Sequence, residues 1–242
     1  MGAPRFFSAD DVTAGALVAL EEVDAHHASG VLRAKAGEPL TLVSAGAAWD
    51  AEFATIGKNS VTTRVVRRSA DQGGELPVQV VVLQALTKGA KFDVVVEKTV
   101  ELGASRIVPV LCARSEAEGG PNKTDRWRRI ARAAAMQSCR RIVPEIEPSC
   151  SWDDALDRFA AGALTLVAFE RADKGSFATA IATYRDNAIV IAVGPEGGLQ
   201  ADEVARARRH GAQIVSLGPT TLRTETAAAA LLAASASSLG WW

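Results

Sequence analysis

IVIAVGPEGGLQADEVARARRHGAQIVSLGPTTLRTETAAAALLAASASS, residues 189–238, is the stretch that decides the fold. An apolar run through Val193 ends in Gly194-Pro195-Glu196-Gly197-Gly198, and a helical pattern follows. A second apolar run, Ile214–Leu217, ends in Gly218. A loop from Pro219 to Arg223 then leads into a second helix. Two strand–loop–helix units in series place both loops at the carboxyl ends of parallel strands, where open α/β sheets bind ligands. One loop sets Glu196 among glycines. The other enters its helix with Arg223, Thr224, Glu225 and Thr226. Thr224 is predicted to cap that helix, and the alanines behind it allow close packing against other backbone.

The same grammar runs upstream. Val78–Leu83 is a continuous apolar run, the mark of a strand buried on both faces. Phe92, Val95, Val96, Thr99 and Val100 recur at helical spacing, with Gly103 as the stop. Ile107–Leu111 reads as a strand, Asp125–Arg141 as a helix, and Trp152–Phe159 as a helix capped by Ser151. Leu164–Phe169 is the next strand and Ser176–Tyr184 the next helix. Strands alternating with helices predict an α/β fold, a parallel sheet covered on both faces. Residues 1–68 read differently. Leu17–Leu20, Pro39–Val43, Asp50–Ile56 and Ser60–Val66 are short apolar or alternating runs, as in a small antiparallel barrel. Asp24 is predicted to cap a helix through Leu32, which carries His26 and His27. Ser69–Glu75, polar and with paired glycines, reads as a linker.

The 242 residues carry a formal charge of −1, so any affinity for nucleic acid must come from a local patch. Cys112, Cys139 and Cys150 are odd in number and have no Cys-x-x-Cys spacing. That argues against a disulfide framework or a zinc site and fits a reducing cytosol. His26, His27 and His210 form no metal-ligand pattern, and no metal is expected. The amino terminus, MGAPRFFSADD, turns acidic where a signal peptide turns apolar, and no apolar run approaches the length of a membrane span. The sequence lacks both G-x-G-x-x-G and G-x-x-x-x-G-K-[ST]. A dinucleotide Rossmann site and a P-loop are therefore not expected.

Charge gathers in one segment. Lys123, Arg126, Arg128, Arg129, Arg132, Arg140 and Arg141 face only Asp125 in opposition. Wound as a helix, Trp127, Ile130, Ala131, Ala134 and Ser138 make one side, and the arginines fan over the other. A solvated basic face accounts for such a run in many proteins. Its concentration in a near-neutral chain favours phosphate binding. Arg33, Arg64, Arg67 and Arg68 extend the patch, and a small barrel beside a basic helix suits RNA. GPEGG alone fits a simple turn as well as a ligand-facing loop. Two such loops, with Glu170 after a third strand, favour a shared pocket.

Taken together these residues resemble the RsmE family, the 16S rRNA uridine-N3 methyltransferases of the SPOUT superfamily. In the first part the resemblance rests on His27, Val31-Leu32-Arg33 and Gly37. Further along it rests on Gln84-Ala85-Leu86 with Lys88-Gly89, Lys98, Glu101-Leu102-Gly103, Pro109 and Arg114-Ser115. It continues through Arg126-Trp127, Ala135, Gln137-Ser138, Arg140 and Pro144. It ends with GPEGG, Ser216-Leu217-Gly218 and LRTETA, the most specific of these signals. Leu199, where similar chains often carry an aromatic, and Pro219-Thr220-Thr221 depart from the pattern.

The resemblance implies a PUA-like RNA-binding β-barrel over residues 1–72 and a SPOUT domain with a carboxyl-terminal trefoil knot over 73–242. It implies S-adenosyl-L-methionine as cofactor, a cytoplasmic homodimer, and 16S rRNA within the 30S subunit as substrate. Phe169, Glu170, Gly194, Pro195, Glu196, Gly197, Gly198, Leu217, Gly218, Leu222 and Thr226 are then the expected cofactor lining. Arg33, Arg67, Lys88, Arg114, Arg126, Arg128, Arg129, Arg132 and Arg140 are the expected RNA contacts. Arg223 is expected to stabilise the uridine anion, and Glu225 or Glu196 to accept the N3 proton. Two other readings stand beside this one: a SPOUT enzyme acting on tRNA, and a non-catalytic rRNA-binding assembly factor.

Overall fold

The computed structural model describes residues 3–57, 60–70, 73–116, 119–172, 176–185 and 188–242. The chain divides into two compact units. Met1–Glu75 with Ala135–Ile142 forms the first, and Leu76–Ala134 with Val143–Trp242 the second.

The first unit holds β1 (Arg5–Ser8), β2 (Leu17–Ala19), α1 (Glu22–His26), β3 (Pro39–Ser44), β4 (Ala47–Ile56) and β5 (Val61–Arg68). They build a curled sheet in the order β1-β3-β4-β5-β2. β1 runs parallel to β3 and every other pair is antiparallel. Register shifts in the β4–β5 ladder at Asp50/Ala51 and Phe53/Thr55 bend the strands. Phe6, Leu40, Leu42, Phe53, Val61 and Val65 form the core of this unit. β1 is an element the sequence pattern did not announce, since RFFS has neither alternation nor length. The expected helix from Asp24 to Leu32 is also different. Glu21 occupies the cap position, while Asp24 is buried within the first turn, and from His27 to Val31 the helix widens into a π-helical turn.

The second unit holds β6 (Gln79–Ala85), α2 (Lys91–Glu101), β7 (Arg106–Leu111), α3 (Pro121–Gln137), β8 (Glu145–Ile146), β9 (Cys150–Ser151) and α4 (Trp152–Phe159). After these come β10 (Leu164–Ala168), α5 (Ser176–Ile181), β11 (Ala188–Val193), α6 (Ala201–Arg209), β12 (Gln213–Val215) and α7 (Thr224–Ser238). The sheet runs β12-β10-β11-β6-β7-β8, with β9 also on β7, and all its pairs are parallel. The apolar runs that predicted its strands are buried: Val80–Ala85 and Ile189–Val193 have no exposed member. Phe92, Val95, Val96, Thr99 and Val100 are all buried on α2. The helix stops because Gly103 turns left-handed at φ 105°. A Cβ there would also lie 2.6 Å from the Leu76 side chain. The Ser151 hydroxyl caps α4 by accepting from the Asp154 N–H at 3.1 Å.

α3 differs from its expected span. It starts at Pro121, a residue suited to a first helical position, and ends at Gln137. Arg140 and Arg141 therefore lie beyond it. Arg140 is 1% exposed, and its Nη2 donates to Glu75 Oε2 at 2.6 Å. The same carboxylate accepts from the N–H groups of Arg141 and Ile142 at 2.9 and 3.2 Å. Arg140 is thus a buried structural cation and not an RNA contact. Glu75, expected in a linker, is its partner. Asp71 and Gln72 of that linker lie outside the described residues. Burial pushes the Glu75 carboxyl upward, but Arg140 and the two backbone donors outweigh it and hold it below the ordinary carboxylate value.

A group held low in the folded state contributes its stability above its unfolded pKa and loses it as pH falls through the folded one. Glu75→Ala should therefore cost about 3–5 kcal/mol in urea unfolding at pH 7, because it removes the carboxylate paired with a buried guanidinium. The gap to the parent protein should shrink as the pH drops below about 4.5.

Candidate active site

Strands β11, β10 and β12 deliver three loops to one rim of the sheet, and these enclose a cavity of about 550 Å³. β11 and β12 are successive in the chain, yet β10 lies between them, so the two glycine loops flank the end of β10. That is why Phe169 and Glu170 form a third wall. Phe169, Glu170, Gly194, Pro195, Glu196, Gly197, Gly198, Leu217, Gly218, Leu222, Arg223 and Glu225 all line the cavity. Thr226 does not. The buried stripe of α7 is Thr224, Ala227, Ala228 and Leu231, at helical spacing, and Thr226 falls off it and is exposed.

The first loop has a defined shape. Gly198 N–H donates to Pro195 O at 2.9 Å, and Gly198 sits at φ 72°, where a side chain would be strained. A Cβ on Gly194 would lie 2.8 Å from Leu199 Cγ. Leu199 itself is buried in the core, which is the job its side chain does here. Arg114 crosses the loop, with its stem 3.2 Å from where a Gly197 Cβ would be, and its Nη1 donates to Gly197 O at 2.7 Å. Glu203, 1% exposed, closes the far end. Its two oxygens accept from Ala113 N–H at 2.8 Å and Gln200 N–H at 2.7 Å.

The second loop meets the first through Thr224. That residue does not cap α7, because Arg223 holds the cap position with extended backbone and no side-chain bond. The Thr224 hydroxyl instead donates to Gly194 O at 2.6 Å and accepts from Gln84 Nε2 at 2.9 Å.

Residues 74–236, which hold this cavity, match the sequence profile of the RNA methyltransferase domain. The ribosomal RNA small subunit methyltransferase E of Bacillus subtilis is 32% identical over 217 residues, 86% of this chain and 84% of that protein. This chain belongs to the ribosomal RNA small subunit methyltransferase E family. The family member of Mycobacterium bovis is 34% identical over 229 residues, 91% of this chain and 86% of its own. The solved structure of the Neisseria gonorrhoeae member, bound to S-adenosyl methionine, superposes with a TM-score of 0.88 at 31% identity, covering 98% of both chains. A putative methyltransferase of Legionella pneumophila in complex with the same cofactor gives 0.87 at 27%, again over 98% of both chains.

Charges divide the cavity wall. Arg223 is 83% exposed at the mouth, with Nη1 4.0 Å from Glu225 Oε1. Glu225 is 17% exposed, and its Oε2 is buried with no hydrogen-bond partner among the described residues. Glu196 is engaged elsewhere: Oε1 accepts from Lys91 Nζ at 3.0 Å and from Lys88 N–H at 3.3 Å. Partial burial raises its pKa, but these donors outweigh it and the net shift is downward. Peptide edges of glycine loops, apolar Leu217, Leu222 and Leu231, and the uncommitted Glu225 oxygen fit a flat hydrogen-bonding ring joined to a cationic group.

The residues expected to touch RNA are dispersed in role. Arg126 pairs with Asp93 and Arg128 with Asp125, while Arg129 is exposed without an ion pair among the described residues. Arg132 is half-buried. Arg33 is exposed in a left-handed backbone conformation, Arg67 pairs with Asp50 at 2.8 Å, and Lys88 pairs with Glu116. Arg114 serves the glycine loop. Sequence reasoning missed Lys91 and Glu203, and took Gln84 only as part of the family pattern, without a place at the site. Lys91 and Glu203 each read there as an ordinary helix-surface residue. The described residues contain no group of three or more His, Cys, Asp or Glu placed to hold a metal, and no helix long and apolar enough to cross a membrane.

Removing the Lys91 ammonium should release Glu196. In Lys91→Met, the Glu196 carboxylate followed by carbon-detected NMR is expected to titrate at higher pH than in the parent protein.

Proposed function

We propose that this chain transfers the methyl group of S-adenosyl-L-methionine to N3 of one uridine in 16S rRNA, working on the 30S subunit as a homodimer. The observation that carries this reading is the pairing at the cavity mouth: an exposed guanidinium, Arg223, beside a carboxylate, Glu225, with one oxygen unengaged. Family membership and the cofactor-bound relatives support the donor.

The cavity residues divide the work. Gly194, Gly197, Gly198, Leu217, Gly218 and Leu222 offer peptide groups and apolar surface to the cofactor, with Phe169 and Glu170 as the opposite wall. When bound, S-adenosyl-L-methionine supplies an electrophilic methyl group on a sulfonium. Uridine N3 becomes a nucleophile only when its proton leaves, and the negative charge then spreads onto the flanking carbonyl oxygens. The Arg223 guanidinium, at the mouth, stabilises those oxygens as an oxyanion hole does. Glu225 accepts the N3 proton, directly or through water. Holding the reactants in line contributes much of the remaining acceleration.

Binding of the RNA falls to exposed cations. Arg126, Arg128 and Arg129 on α3 and Arg33 and Arg67 on the first unit meet phosphates, and neutralising partners such as Asp125 give way to them. Residues 1–72 are read as the PUA-like barrel, supported by the curled five-stranded sheet. Residues 73–242 are read as the knotted SPOUT domain. Support for the knot is the path of the chain: from the edge strand β12 it returns past β10 so that Thr224 reaches Gly194 and Gln84. Knots are rare among folds, which makes the relationship to a knotted superfamily a strong part of this reading.

Arg223→Ala should lower methyl transfer to purified 30S subunits by on the order of 100-fold or more, with cofactor affinity by calorimetry and thermal unfolding unchanged. Wild-type methylation by that variant would remove Arg223 from the mechanism. Replacing Arg128 and Arg129 with Gln should reduce the slope of log affinity for rRNA against log salt by up to about 2. An unchanged slope would return α3 to an ordinary solvated surface.

A further inference from the structure

We infer that Gln84 and Thr224 are positioning residues for methyl transfer: the buried chain from Gln84 Nε2 through Thr224 Oγ1 to Gly194 O fixes the cofactor loop against the residues that act on the RNA base. The inference rests on the methyl-transfer reading of the cavity. Gln84 is fully buried at the end of β6, behind the cavity wall, and Thr224 is 8% exposed in that wall. Arg223 and Glu225 are the two residues adjoining Thr224, so any movement of its backbone moves both.

The direction of each bond is determined. A carbonyl oxygen only accepts, so the single hydroxyl proton of Thr224 goes to Gly194 O at 2.6 Å. Gln84 must then present its amide nitrogen to the hydroxyl, at 2.9 Å. The same nitrogen donates to Ala85 O at 3.2 Å, a second acceptor that demands the same orientation. Consequently Gln84 Oε1 is left buried with no partner among the described residues. An unpaired buried acceptor is destabilising, and an apolar residue of similar length would fill this strand end without it. Stability alone therefore does not account for a glutamine here. A device that holds the Thr224 proton toward Gly194 does.

The geometry also explains why this tie matters more than others at the rim. The loops after β11 and β12 are built largely from glycine, proline and short polar residues, and they are separated by the end of β10. Thr224 is the point where the second loop bonds directly to the first. Misplacement by about 1 Å at a reacting centre costs on the order of 100-fold in rate.

The test uses the full chain with Thr224→Val, which keeps the shape and removes the hydroxyl, Thr224→Ser, which restores it, and Gln84→Met. Two quantities are measured: the single-turnover rate of methyl transfer to 30S subunits at saturating S-adenosyl-L-methionine, and amide hydrogen exchange of residues 194–200 and 217–226 in the cofactor-free protein. Thr224→Val should slow transfer by about tenfold or more and speed exchange in both segments. Gln84→Met should shift both in the same direction by less, and Thr224→Ser should recover most of the rate and the protection. A Thr224→Val protein with wild-type transfer and wild-type exchange overturns the inference. If Thr224→Val does not fold, Gln84→Met carries the same comparison, and parent-like values there overturn it. Should the wild-type chain bind cofactor but transfer no methyl group to rRNA, the underlying reading fails. The exchange comparison alone then decides whether the tie exists.

Discussion

The peptide carbonyl of Gly194 and the hydroxyl of Thr224 meet at 2.6 Å in the buried wall of the cavity. Thirty positions of sequence separate them, and two loops with little regular structure converge there. Glycine-rich loops adopt shapes other residues cannot, but they surrender much conformational entropy when they order. A cavity wall made from such loops needs fixed points. This one has several: Thr224 at the start of the first loop, Arg114 on Gly197 in its middle, and Glu203 on Gln200 at its end. Remove them and the lining residues would still exist, but not as one surface.

The sequence was readable wherever a single physical requirement dominates a stretch of chain. β6 and β11 are buried on both faces, so their apolar runs name them as strands. α2 buries one stripe, and its five buried positions keep helical time. Ser151 caps α4 as its position requires. The rim residues of the three loops stood out only in combination, since glycine and proline after a strand also make simple turns and a charge there is often just solvated. Lateral order in the sheet was not readable. Nothing in the run of residues tells that β10 inserts between β11 and β12, and that insertion is what makes Glu170 a wall.

Polar residues with more than one possible partner account for most of what was misread. Thr224 has the right chemistry for a helix cap and spends it on a neighbouring loop. Glu203 has the look of a first-turn helix charge. In the fold it is buried, accepts two backbone N–H groups, and, together with burial, pushes the Cys112 thiol upward. Arg140 belongs by count to a basic cluster, yet it pairs with a carboxylate 65 positions earlier. Arg114, one of the phosphate-seeking cations by type, also grips a peptide oxygen of the glycine loop. Each choice is settled by what lies nearby in space, which composition and periodicity do not record.

The way the chain shares itself between its two units bears on its synthesis. Residues 135–142 return to the first unit after the chain has already built two strands and two helices of the second. Glu75 emerges from a translating ribosome well before Arg140, the cation that holds it in the folded protein. The amino-terminal sheet cannot reach its final packing as an independent early module. It must wait, with Glu75 still hydrated, until the end of α3 has been made, so the maturation of the first-made part is timed by a segment of the later one.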